Sequence, residues 1–255
     1  MLLNEYNRSK RSAQCLWGRS DLQRNKITGR IATSEYNAND PIEDRHHCKQ
    51  LKNIDAYVCA VFDGHGGWAL SEYAKNLFIN ELDFQFELLA KKKFESEDAL
   101  IIEALNKAFD YIEQSFYEVA VSGKIQRPFN VGSCALIALV KDNKVYTANA
   151  GDCKGVLLSE SDTKLKTFTA RKINHKQNAN SKKEQARLKK EFPNDSDIVI
   201  CKRGGEGACY VKGRLMPTRS LGDFHLKKAE LFKGKGKYTG PYITHKPEII
   251  IHEIQ

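Results

Sequence analysis

The amino-acid sequence predicts an α+β fold in which helices pack on antiparallel sheets, and three observations carry that prediction. Ala56-Tyr57-Val58-Cys59-Ala60-Val61-Phe62 is an uncharged run of strand composition, two helix-period stripes follow it, and two apolar runs, Ser133 to Val140 and Val145 to Ala150, flank a turn. Strand, helix pair, hairpin and strand in that order suit antiparallel sheets better than the strict alternation that builds a parallel one.

Composition sets the bounds. At 255 residues the chain can bury one large core, and 41% hydrophobic with 29% charged residues is ordinary globular composition. No apolar run approaches the ~20 residues that span a bilayer, so membrane insertion is not expected. The seven cysteines, at 15, 48, 59, 134, 153, 201 and 209, are odd in number and contain no Cys-x-x-Cys pair. With no secretory leader pattern at the start, they read as reduced thiols of an intracellular protein, cytoplasmic or mitochondrial. The net charge of +9 raises nucleic-acid binding as a function. The basic residues are spread out, however, and the densest run, Lys182 to Glu191, alternates with acids like a solvated helix face, so no nucleic-acid partner is expected.

Residues 1–28 form a basic extension in which Arg8, Lys10, Arg11, Arg19, Arg24 and Lys26 outnumber Glu5 and Asp21. Such a stretch reads either as a disordered tail or as a mitochondrial targeting segment. Gly29 to Ser34 reads as a first strand, opening a domain over 29–255. The run from Ala56 to Phe62 reads as a strand buried on both faces. Leu70, Tyr73, Ala74, Leu77 and Phe78 follow helical spacing. So do Ile101, Ala104, Leu105, Ala108, Ile112, Phe116 and Val119, after Ser96 in the preceding loop and before Gly123 as terminator. Asp142-Asn143 is a hairpin signal, and Gly155 to Leu158 is a further short strand. Asp162 to Lys164, Gly204 to Gly207 and Lys227 to Gly240 read as flexible loops.

The chemistry concentrates at Asp63-Gly64-His65-Gly66-Gly67, where a buried strand meets a turn in which backbone can approach a ligand closely. Asp63 there is either a carboxylate held for a cation or a helix cap. This motif resembles the signature of the metal-dependent protein serine/threonine phosphatases, type 2C. Three further segments resemble that family in the expected order: Asn39-Asp40-Pro41-Ile42-Glu43-Asp44-Arg45, then Gly132-Ser133-Cys134-Ala135 through Ala148-Asn149-Ala150-Gly151-Asp152, then Gly213-Arg214-Leu215-Met216-Pro217-Thr218-Arg219-Ser220-Leu221-Gly222-Asp223. The Pro-Ile-Glu-Asp-Arg form is most similar to the pyruvate dehydrogenase phosphatase branch.

The resemblance implies two stacked antiparallel sheets flanked by helices, a phosphorylated protein as substrate, and two Mg2+ or Mn2+ ions per complete site. Such a pair, ~4 Å apart, activates water and neutralises phosphoryl oxygens. It implies that Asp63 bridges the ions, that the Gly64 carbonyl and Glu43 bind one of them, and that Asp152 serves an additional metal. Asp44 then orients water, and His65 protonates the leaving hydroxyl. Simpler readings stand beside these. Glu43 and Asp44 could pair with Arg45 at the surface, His46-His47-Cys48 carries zinc-ligand residue types, Asp152 could end a turn, and Arg219 and Asp223 could be a structural pair.

Two departures from the family pattern matter. Asn39 stands where many members have a phosphate-binding arginine, and the chain ends at Gln255, before the later aspartate motifs that complete the family's metal site. The expectation is a C-terminally incomplete phosphatase domain with little activity of its own, or a catalytically inactive module that binds phosphoproteins or regulates a true phosphatase.

Overall fold

The structure, a computed structural model, describes residues 14–21, 28–37, 40–162, 167–202, 207–234 and 237–254. Its first strands, β1 (Gln14–Asp21) and β2 (Thr28–Ser34), pair antiparallel as a ribbon. β1 therefore lies inside the 1–28 segment that the charge pattern separates from the domain. Next come β3 (Arg45–Gln50), β4 (Tyr57–His65), α1 (Ala69–Leu89) and α2 (Glu97–Val121). The hairpin of β5 (Gly132–Lys141) and β6 (Lys144–Ala150) follows, then β7 (Val156–Asp162) and β8 (Thr167–Lys172). α3 (Lys182–Glu191), β9 (Val199–Cys201), β10 (Cys209–Val211), β11 (Leu221–Gly222) and β12 (Glu248–Glu253) complete the order. The main sheet runs β12-β6-β5-β4-β3, with β11 paired to the start of β5, and every ladder is antiparallel.

The alternation of side chains across the sheet divides the apolar residues between two faces. Val58, Ala60 and Phe62 of β4, with Ala135, Ile137 and Leu139 of β5, join the core beneath α1 and α2. The helices contribute the stripes that the sequence spacing selects, and Phe78 packs against Phe62 at 5.8 Å and Phe109 at 5.0 Å between ring centroids. Ser96 caps α2 by accepting from the Ala99 N–H at 3.1 Å. On the opposite face Cys59, Val61, Cys134, Leu136 and Cys153 form a smaller cluster, while Leu157 of β7 covers Ala138, Val140 and Val145. The strand expected to be buried on both faces is so. The second layer is built of two-stranded ribbons, with β7 and β8 over this face and β1 alongside β3 and β4.

A third cluster, around Leu188, Ile198, Val211 and Tyr242, ties α3 to β9 and β10. Here the structure corrects the expectation that all cysteines are reduced, because Cys201 and Cys209 are disulfide-bonded. They stand directly opposite across the β9–β10 ladder, a juxtaposition that eight residues of sequence separation conceal. Cys48, Cys59, Cys134 and Cys153 remain thiols. The expected loops at 163–164 and 204–206 lie outside the described residues, and the 227–240 stretch is described except at 235–236. Among the described residues no helix is long and apolar enough to cross a membrane.

Truncating a fully buried phenylalanine should outweigh losing an exposed cap. Phe78→Ala should cost about 3–5 kcal/mol and Ser96→Ala about 1 kcal/mol, both read from denaturant unfolding. Equal effects of the two would contradict this placement of the core.

Candidate active site

β4 does not stop at Phe62. Its pairing with β5 continues through Asp63↔Cys134, Gly64↔Ser133 and His65↔Gly132, so the candidate residues sit on the ladder itself. Alternation turns Phe62 into the helix-covered core and sends Asp63 and His65 to the other face, with Val61, Cys134 and Cys153. The helix-cap reading of Asp63 is excluded, because Trp68 occupies the N-cap of α1 and makes no side-chain cap bond. Gly66 and Gly67 have φ of 69° and 129° and turn the chain into that helix.

Glu43 and Asp44 lie just before β3. Ser71 of α1 donates its hydroxyl to the Glu43 carbonyl and, at 2.9 Å, to that of Trp68, which fixes the approach of the segment. Gly64 is what lets this backbone come close, since a Cβ there would overlap the Glu43 carbonyl oxygen. Arg45 is not the partner of Glu43 or Asp44. Its guanidinium bonds Glu72 of α1 and, at 2.8 Å each, the carbonyls of Ile42 and Asp44. Asp44 is left buried, its side chain hydrogen-bonded to Asp63. Burial, then the Asp63 charge and that hydrogen bond, with Glu43 adding to them, push its pKa up to about 8. His46 meets Glu35 at 2.8 Å, whereas His47 bonds the Lys75 carbonyl at 2.9 Å, so the neighbouring imidazoles serve different partners. Asn39 lies outside the described residues.

Asp152 sits two residues beyond β6. It accepts from the Cys134 thiol at 3.3 Å on one oxygen and from Asn178 at 2.6 Å on the other. Burial, with Asp152 and Asp63 nearby, raises the Cys134 and Cys153 thiols well above their usual range, so both stay neutral. His65 bonds Asp223 through Nε2 at 2.7 Å. Burial alone would lower its pKa, but the Asp223 carboxylate, with Asp63 and Asp152 behind it, raises it to about 9.

Sequence reasoning missed that contact. The suspected pair of Arg219 and Asp223 does not form, because Arg219 donates to the Lys246 carbonyl at 2.9 Å while Asp223 faces His65. The two partners are 158 residues apart and no local pattern joins them. The segment carrying Asp223 is held from behind by Glu113 of α2, which accepts from the Gly222 N–H at 2.8 Å and from Lys227 at 2.5 Å.

Two observations test the fit of a metal. Asp44 and Asp63 sit side by side with only a shared hydrogen bond between their carboxyls, an arrangement that a divalent cation on oxygen ligands would relieve. Among the described residues, however, no group of three or more His, Cys, Asp or Glu side chains converges tightly enough to hold an ion. The Asp44–Asp63 pair thus offers oxygen donors of the type a divalent cation takes, while the described residues do not assemble a set of three side chains around it.

A family model described as Protein phosphatase 2C matches residues 30–255. Probable protein phosphatase 2C 79 of Arabidopsis thaliana is 30% identical over 90% of this chain and 61% of its own length. Probable protein phosphatase 2C 72 of Oryza sativa subsp. japonica is 27% identical over 90% of this chain and 59% of its own. The chain thus spans about three-fifths of these relatives. They speak for the family as a whole and not for the pyruvate dehydrogenase phosphatase branch. A solved structure titled as a C. elegans sex determining protein aligns with a TM-score of 0.60 and 18% identity, covering 98% of this chain and 50% of its own, a likeness of fold.

These shifts set a direction for stability against pH. Asp44 keeps its proton in the fold up to about pH 8 but ionises from 3.8 upward when unfolded, so its contribution is lost as pH rises through that window. The His65 contribution is present below 6.5 and is lost as pH rises through about 9, which is the same direction. In EDTA, Tm should therefore fall from about pH 5 to about pH 9, Mn2+ should restore most of the loss, and Asp44→Asn should flatten the lower part of the slope. A Tm that rises over this range would contradict the placement of both groups.

Proposed function

The chain belongs to the protein phosphatase 2C family, and on that premise we propose that it is a metal-dependent protein serine/threonine phosphatase that hydrolyses phosphoserine and phosphothreonine monoesters with water. The observation that carries this reading is that Asp63 and His65 share one face at the end of β4 and that Asp44, just before β3, bonds Asp63, which brings acids and a proton carrier within electrostatic reach of one another. Asp63, the Gly64 carbonyl and Glu43 are the residues that would hold a cation, Mg2+ or Mn2+. When bound, such an ion supplies nucleophile activation and charge neutralisation.

The remaining work falls to the chain's own side chains. Asp44, held beside Asp63, orients the attacking water. His65, kept protonated at neutral pH by Asp223, gives its proton to the departing serine or threonine oxygen. Asp152, anchored by Cys134 and Asn178, adds negative potential that would favour a further cation. The partner is a phosphorylated protein.

A second reading is a catalytically inactive module that binds phosphoproteins, and it is favoured by the absence of a three-acid cluster among the described residues. Hydrolysis of a phosphothreonine peptide separates the two. Turnover that requires Mn2+ and falls at least ~100-fold in Asp63→Asn supports the phosphatase. Peptide binding without turnover supports the module, and turnover indifferent to both metal and Asp63 overturns the assignment. Calorimetric titration with Mn2+ should rank the acids, with Asp63→Asn abolishing binding and Asp44→Asn weakening it about 10 to 100-fold. Equal losses would contradict the roles given to them.

A further inference from the structure

The geometry points to Asp223 as the residue that positions His65: its Oδ2 accepts a hydrogen bond from Nε2–H and leaves Nδ1 as the ring nitrogen that delivers a proton to the leaving oxygen. The inference rests on the proposed role of His65 as proton donor and adds to it a partner and an atom. Four features converge on this contact. The Nε2 to Oδ2 distance is 2.7 Å, and the same Oδ2 accepts from the Ser220 hydroxyl at 2.6 Å, which fixes the carboxylate from the far side. Asp223 adopts a left-handed backbone, φ 50° and ψ 40°, a conformation that a non-glycine residue takes up at a cost. Its N–H is bonded to the Val131 carbonyl at 2.9 Å, so the unusual turn is held by the strand entering β5.

The third feature is a slot. Gly132 stands directly opposite His65 in the ladder, and a Cβ there would overlap both Asp223 Oδ2 and His65 Nε2. Only glycine at this position lets a carboxylate from the residue after β11 reach an imidazole on β4 past the intervening strand. The fourth is a buried oxygen without a partner. Asp223 is 1% exposed, and its other oxygen, Oδ1, is buried without a hydrogen-bond partner. A buried carboxylate left half satisfied lowers stability relative to a neutral side chain. His65, the Ser220 hydroxyl and the nearby Lys227 offset that cost at Oδ2, and what the arrangement achieves is the orientation of His65.

The chemical step balances as follows. As the water oxygen bonds to phosphorus and the bond from phosphorus to the ester oxygen breaks, the electron pair of the broken bond goes to the leaving oxygen, which takes the proton from Nδ1. The phosphate leaves with the water's protons, one of which returns to the ring nitrogen after release. The ring keeps the proton on Nε2, hydrogen-bonded to Asp223, and the carboxylate remains ionised throughout. Asp223 touches no reacting atom, so it is a positioning residue.

The first test does not depend on turnover. In 15N-histidine-labelled protein the Nε2–H of His65 should give a downfield, slowly exchanging signal. That signal should move upfield and exchange faster in Asp223→Asn, and do the same in Gly132→Ala, which leaves both partners chemically intact and guards against misfolding of the first variant. A protected proton on Nδ1 in the native chain, or a signal indifferent to both changes, overturns the inference. The second test uses leaving groups. Asp223→Asn should slow hydrolysis of a phosphoserine peptide, whose alkoxide needs a proton, by about 10²-fold, and that of p-nitrophenyl phosphate, whose phenolate does not, by far less. Equal losses on the two substrates mark a merely structural carboxylate and overturn it. If neither substrate turns over in the native chain, the phosphatase reading fails, and the Nε2–H signal alone decides whether Asp223 holds the ring.

Discussion

The register between β4 and β5 is the constraint on which the rest depends. Nine residue pairs, from Tyr57↔Val140 to His65↔Gly132, place one strand in both the core and the site. Because side chains alternate, the same ladder that seats Phe62 under the helices delivers Asp63 and His65 to the opposite face. A slip of one residue would exchange them, burying the acids among the helices and exposing the aromatic ring. Stability of the core and assembly of the site are therefore one requirement. Ser71 reaching from α1 to the Glu43 carbonyl extends it to the helix and to the segment before β3.

Electrostatics then works against the packing. In a chain of net charge +9, the face around Asp63 gathers acids, and the basic residues nearest in sequence are engaged elsewhere, as Arg45 is with Glu72. The consequences are a protonated Asp44, a protonated His65 and neutral thiols at Cys134 and Cys153, each group adopting the charge state that offsets the crowding. This crowding is a local liability, and the cation proposed for Asp63 would remove its cause. On that proposal fold stability and metal content would be linked through a few side chains.

Much of this was legible in the sequence. Helix stripes, the Asp142-Asn143 turn and the two-sided burial of β4 follow from periodicity and turn chemistry, which are local. Asp63, Asp44 and His65 were legible through motif likeness, and the structure sets them on one strand end and its neighbour. What the sequence concealed is set by long-range geometry. The Cys201–Cys209 bond depends on two short strands lying in register, the contact of His65 with Asp223 spans 158 residues, and Arg45 is drawn away by a glutamate on a helix. In each case residue type permits several partners and only the tertiary path selects one. Asp223 is instructive, because its position in Arg219-Ser220-Leu221-Gly222-Asp223 suggested a neighbour in sequence, whereas the left-handed turn aims it the other way.

The bond from Glu113 to the Gly222 N–H carries a consequence of another kind. Glu113 sits among the buried positions of a long amphipathic helix, where drift among apolar side chains of similar volume is ordinarily tolerated. Here that freedom is withdrawn, since an apolar replacement would release Gly222 and Lys227 together and let the turn behind Asp223 relax. Position 113 is thus tied in its permitted variation to a histidine on another strand that it never touches. A screen that sorted loss-of-function changes by distance along the chain would misfile it as a folding defect.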